Sequence, residues 1–177
     1  MSISYATVTP TSMELTPVRV KFSGTDLGGT LGNVVINAKY TKAEIKADQF
    51  GTLVLDRRVS GLEITVTTEL NEVLNKANWN VVFPHAQYLT TSTAAIQFNS
   101  AVGDSDLSRA HVLLLHPLSL ADADVSSDHT FFKACASAES SITYGPTEQA
   151  KLKIVWNILP DTSVSPAKLY RYGDTTI

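Results

Sequence analysis

At 177 residues, with 44% apolar and 18% charged side chains, the chain is long enough to bury one real core and leaves little room for a second. A net charge of −3 disfavours sequence-independent binding of duplex DNA, which needs a basic surface to neutralise phosphates. The single cysteine, Cys135, excludes an internal disulfide, and no apolar run approaches the ~20 residues that span a bilayer.

Residues 1–17 are rich in Ser, Thr and Pro and read as an extended N-terminal arm with no secretory signal, so the default compartment is a cytoplasm. Residues 18–177 are expected to form the single folded domain. Val18, Val20 and Phe22 alternate with Arg19, Lys21 and Ser23, the first strand pattern. The glycine-punctuated stretch from Gly24 to Gly32 has no Gly-Lys-Ser/Thr ending and no helix pattern after it, so it is a strand connection and not a phosphate cradle.

Val34, Ile36, Ala38 and Tyr40 are apolar at even positions, whereas Ala43, Ile45 and Ala47 are apolar at odd ones. Side-chain direction repeats every two residues in a strand, so the change of phase predicts a bulge or bend near Thr41–Lys42. Asp48-Gln49-Phe50-Gly51 supplies a turn, with Gly51 free to take positive φ, and Leu53, Leu55 and Val59 return. Residues 33–60 are thus predicted to form one long bent hairpin whose tip stands away from the core. Its cations Lys39, Lys42, Lys46, Arg57 and Arg58 are interspersed with Glu44, Asp48 and Asp56, which points to cross-strand ion pairs and not to a nucleic-acid face.

Leu62, Ile64 and Val66 predict a further half-buried strand beginning after Gly61. Leu70, Val73, Leu74 and Ala77 then fall at helical spacing, with Thr68 as N-cap and Glu72–Lys76 as an i,i+4 pair; this helix is expected to end near Asn78–Pro84. Val112–Leu115, flanked by His111 and His116 and closed by Pro117, reads as a strand buried on both faces. Residues 129–136, 151–158 and 169–172 complete the strand set, and Cys135 lies in an apolar run that suits a buried thiol. The fold class expected is all-β, a β-sandwich or barrel-like domain with one short α-helix and a long bent hairpin.

Motifs for chemistry are sparse. His111 and His116 are separated by five, which puts them on opposite faces of a strand, so they cannot chelate one ion. Asp122, Asp124 and Asp128 resemble a calcium loop, but Ser127 and Lys133 stand where Gly and Glu are needed, so a solvated acidic loop is expected. With no nucleophile elbow and no paired acid and base, no catalytic, metal or cofactor-binding residue is assigned, and the chain is not expected to be an enzyme.

From Gly24-Thr25-Asp26-Leu27-Gly28, through Glu44–Gly51, Asp56–Gly61 and Glu63–Val66, to the amphipathic stretch near Glu69, the order of features resembles the tail tube (major tail) proteins of long-tailed bacteriophages. The resemblance covers roughly a third of the chain and implies a virion structural protein, assembled in the host cytoplasm. It would build stacked, hexameric rings around a lumen through which DNA passes without specific binding, with tape measure and tail terminator proteins as further partners and no membrane. The subunit-contact candidates are Asp48, Gln49, Phe50 and Gly51 at the hairpin tip, with Arg57 and Arg58 alongside. The alternative is a sandwich module binding receptor or carbohydrate in a phage tail or baseplate, using Trp79, Tyr88, Tyr170 and Tyr172. A hydrolase on the same scaffold is the least supported class.

Overall fold

A computed structural model describes residues 16–73, 75–83, 86–89, 95–98, 102–136 and 139–174. Most of the expected N-terminal arm, together with Leu74 and Pro84, lies outside the described residues. The chain order begins β1 (Val18–Phe22), β2 (Thr25–Asp26), β3 (Val35–Lys46), β4 (Val54–Leu70) and α1 (Lys76–Val82). It continues with β5 (Ala86–Leu89), β6 (Ala95–Phe98), the single-turn α2 (Asp106–Arg109) and β7 (His111–Pro117). The last strands are β8 (His129–Ala136), β9 (Ser141–Thr143), β10 (Lys151–Ile158) and β11 (Tyr170–Tyr172).

One antiparallel sheet runs in the order β2-β1-β7-β8-β10-β4-β3, with β11 added to β8 and β9 to β10; β5 and β6 form a separate two-stranded ladder. β8 and β10 pair only over Ala134–Ala136 and Trp156–Ile158, and then diverge. The freed edges are taken by β11 on β8 and β9 on β10. The sheet curls at this divergence. Phe22 on β1 and Trp156 on β10 would stand about 14 Å apart across three flat strand spacings, yet their rings meet at 4.7 Å. The sheet nevertheless stays open, with β2 and β3 at its two ends. The architecture is a mostly-β domain with one main helix, and the barrel-like closure expected from regular strand spacing does not occur.

The core follows the period-2 patterns closely. Leu152, Ile154, Trp156 and Ile158 are all buried, opposite Leu70, Thr68, Val66 and Ile64 in that order, which are buried too. Val20, Phe22, Leu113, Leu115 and Phe131 supply the facing side. The run after His111 is less enclosed than its composition suggests. Leu113, Leu115, His116 and Pro117 are buried and Leu114 half-buried, but Val112 is exposed.

Three local expectations are corrected. Residues 68–70 belong to β4 and not to a helix, because Leu70 is in register with Leu152 and the Trp156 indole N–H donates to Thr68 Oγ1 at 3.0 Å. A polar residue at Thr68 hid the continuing alternation Ile64, Val66, Thr68, Leu70, and partner strand β10 outweighs weak local helix propensity. The helix starts later, at Lys76, and turns Asn78 and Val82 inward. Gly61 does not start a new strand, since β4 is continuous from Val54 to Leu70.

Candidate assembly interface

β3 and the first part of β4 form a two-stranded arm that leaves the body. Every residue of β3 is exposed, and on β4 the alternating burial begins only at Ile64. β4 is therefore one strand with two environments, a core strand at its end and a solvent-facing one at its start. The predicted bend is present. The ladder pairs Thr41 with Gly61 but Lys42 with Val59, so Ser60 is the extra residue, and a second shift falls between Ile45 and Lys46. Bulges of this kind sharpen the twist and help keep the outer edge of β3 from pairing indiscriminately.

At the tip, Asp48–Phe50 form a single 3-10 turn, and a second turn follows in which Leu53 N–H donates to the Phe50 carbonyl at 3.3 Å. Gly51 has φ 61° and ψ −125°, the conformation of the first central residue in a type II′ hairpin turn, where a side chain is strained. The expectation of positive φ at this position is met. The tip points Phe50 and Leu53 outward at 57% and 59% exposure, and Tyr40 and Val59 lower on the arm are each 58% exposed. Hydrophobic residues this exposed, grouped on one projection, mark an interaction surface more often than a free one.

Glu44–Arg57 is a cross-strand ion pair of the kind the sequence predicts, whereas Lys46–Glu44 and Arg58–Asp56 each lie within one strand. Glu44 lies directly opposite Arg57, whose guanidinium reaches it at 3.2 Å, and Lys46 reaches the same carboxylate at 3.0 Å. The Glu44 carboxyl is held below its ordinary range by hydrogen bonds from Lys46 and then Arg57. Arg58 pairs more loosely with Asp56 at 3.6 Å. Exposed pairs of this type add little stability. Of the six contact candidates, Asp48, Gln49, Phe50 and Gly51 sit together at the tip; Arg57 and Arg58 lie a few residues down the returning strand.

Two features were not foreseen from sequence. The loop between β7 and β8 is not simply a solvated acidic loop. Asp128 is buried, 2.6 Å from the buried His116 Nδ1, and Asp122 binds Arg19 at 2.9 Å. His116 Nε2 is buried without a hydrogen-bond partner among the described residues. Asp128 stands opposite His116 only in the folded register of β7 and β8, which a spacing of twelve residues does not reveal. The second is an aromatic row on β8 and β11. Tyr170 stacks on Phe131 and gives His129 a 2.7 Å contact from its hydroxyl to Nδ1, and Tyr172 leans on His129 at 4.7 Å. Trp79, by contrast, is half-buried and spends its indole N–H on the Val73 carbonyl, and the Tyr88 side chain lies outside the described residues.

Among the described residues no group of three metal-ligating side chains converges. Cys135 is buried, and that burial pushes its thiol up to about 11, away from nucleophilic use. No protein-family model matches the chain, and no curated protein matches it.

Proposed function

We propose that this chain is a self-assembling structural subunit whose arm docks on a neighbouring copy, in the manner of a bacteriophage tail tube protein building stacked, hexameric rings. The observation that carries the reading is the arm itself: a 12-residue strand exposed along its whole length, ending in an outward-facing Phe50 and Leu53. Sheltering each of those side chains on another copy is worth ~1.5–3 kcal/mol. A monomer forgoes that gain. The curled sheet would serve as the sandwich-like body of the ring, and the overall acidic charge would keep a lumen from holding DNA. On this reading the chain works in a virion tail after assembly in a host cytoplasm, with tape measure and tail terminator proteins as neighbours and no catalytic step.

The test removes the arm and keeps the body. Residues 41–61 are replaced by Asn-Gly, joining the paired residues Tyr40 and Leu62 through a two-residue hairpin turn. The full chain is expected to give rings or tubes in negative-stain microscopy, whereas the shortened chain keeps its circular dichroism and stays monomeric. A full chain that remains monomeric at high concentration would refute the proposal. A second reading, a binding module for receptor or carbohydrate in a tail or baseplate, draws on the exposed Tyr170 and Tyr172 beside His129. Glycan-array binding by a monomeric chain, lost in Tyr172→Ala, would favour it.

A further inference from the structure

The outer edge of β3 has no strand beside it among the described residues, because β3 ends its sheet and pairs only with β4. Twelve residues of open N–H and C=O groups are a template for further pairing. The course of the chain itself points to what covers them. β1 and the stretch after it form an antiparallel hairpin, in which Phe22 pairs with Thr25 and Lys21 with Asp26. The hairpin continues as Leu27 N–H donates to the Val20 carbonyl at 2.9 Å and Thr30 Oγ1 to the Val18 carbonyl at 3.0 Å. At Thr30 the returning stretch has a neighbour on each side, Val18 on one and its bridge partner Leu70 of β4 on the other.

Past Thr30 the β4 side carries on through Leu31 and then along the whole of β3. The β1 side leads back to Thr16, which lines a cleft of about 480 Å3 together with Asn33 and Val34, immediately before β3. A second cleft, of about 500 Å3, adjoins it between residues 17–19 and 28–30. Residues 1–15 therefore set out from beside the first residues of β3, and an unbroken continuation of the hairpin carries them antiparallel along its open edge. Fifteen residues face the 12 of β3, so at about 3.3 Å per residue one extended run reaches the far end.

Composition suits the place. Ile3, Tyr5, Thr7, Val8, Thr9 and Thr11 are β-branched or aromatic, the types that favour strands. Pro10 has no N–H, which an outermost strand tolerates on its solvent side. Keeping the offset of Val18 and Thr30 sets Met13 beside Val35, Tyr5 beside Ala43 and Ile3 beside Ile45, apolar beside apolar on one face of β3. We infer that residues 1–15 form an added antiparallel strand on the outer edge of β3 of the same chain. Such a strand engages backbone and leaves both faces of the arm and its Phe50–Leu53 tip open. Neighbouring copies then meet the arm at those surfaces and not by strand addition. The inference is independent of the assembly reading, since a monomer would carry the added strand as well.

Cysteine scanning tests it in the full chain, since the sole native cysteine is buried. Ala43→Cys is combined in turn with Ile3→Cys, Tyr5→Cys, Thr7→Cys and Thr9→Cys, and the series is repeated with Lys39→Cys; Lys39 and Ala43 are both exposed. The control joins Tyr5→Cys to Val102→Cys, on an exposed turn away from β3. Under mild oxidation an intrachain disulfide at monomer size is expected, at least tenfold above the control. Its yield should peak near Tyr5 for Ala43→Cys and move toward Thr9 for Lys39→Cys. A flat profile at the control level, or a peak that moves the other way, overturns the inference. Cross-linked dimers in place of the intrachain product, beyond those of the Ala43→Cys chain alone, assign the edge to a second copy's segment and overturn it too. Rings or tubes in the microscope beside a flat profile would leave assembly standing and remove only the added strand.

Discussion

Trp156 shows how a single buried polar atom disciplines a core. Its ring is fully buried against Phe22, and its one donor is satisfied by Thr68 Oγ1, 88 residues away in sequence. Thr68→Val keeps the shape and strands the indole N–H, which should destabilise the fold by about 1–3 kcal/mol in urea denaturation. His116 and Asp128 make a second case, because both partners are buried. Asp128→Ala leaves the buried His116 Nδ1 without its partner, so it should destabilise the fold by roughly 1–3 kcal/mol on the same measurement. Asp128 was expected to be a solvated loop residue, and its spacing from His116 carries no sign of the contact. Cys135, in contrast, was legible. An apolar run around a lone cysteine is what a buried thiol looks like in sequence, and the structure buries it.

Elements tell a similar story with a different cause. β10 was readable because all its buried positions are apolar and in phase: Leu152, Ile154, Trp156 and Ile158. β4 was not, because Thr68 interrupts the apolar phase and Leu70, Val73, Leu74 and Ala77 happen to fit a helical repeat as well. The bend at Thr41–Lys42 was readable, since a change of phase in a strand has few other physical meanings. The loop between β7 and β8 is held over the outer face partly by Arg19, which lowers the Asp122 carboxyl first through a hydrogen bond and then through its charge. A carboxyl depressed in the folded state stabilises above its unfolded value, near ~3.9, and that contribution is lost as pH falls through the depressed value. Asp124 and Asp161 are lowered by Ser126 and Ser163 and share the sign. The thermal midpoint should therefore fall as pH drops below the ordinary carboxylate range. Arg19→Gln should remove part of that acid dependence.

For the whole molecule, the strand-rich class and the projecting hairpin were determined by sequence alone, because both rest on side-chain alternation along a single segment. Val18–Phe22, residues 33–60 and Lys151–Ile158 each carry enough consecutive positions to declare a face or its absence. Tertiary structure decided what no single segment holds. It set the brief pairing of β8 with β10, the curl that brings Phe22 onto Trp156, the open ends at β2 and β3, and the groove between residues 16–19 and 28–34. These depend on which strands meet and where they part. Pairing is selected by the summed burial and hydrogen bonding of distant segments, whereas periodicity reports only how one segment divides its own side chains between two faces.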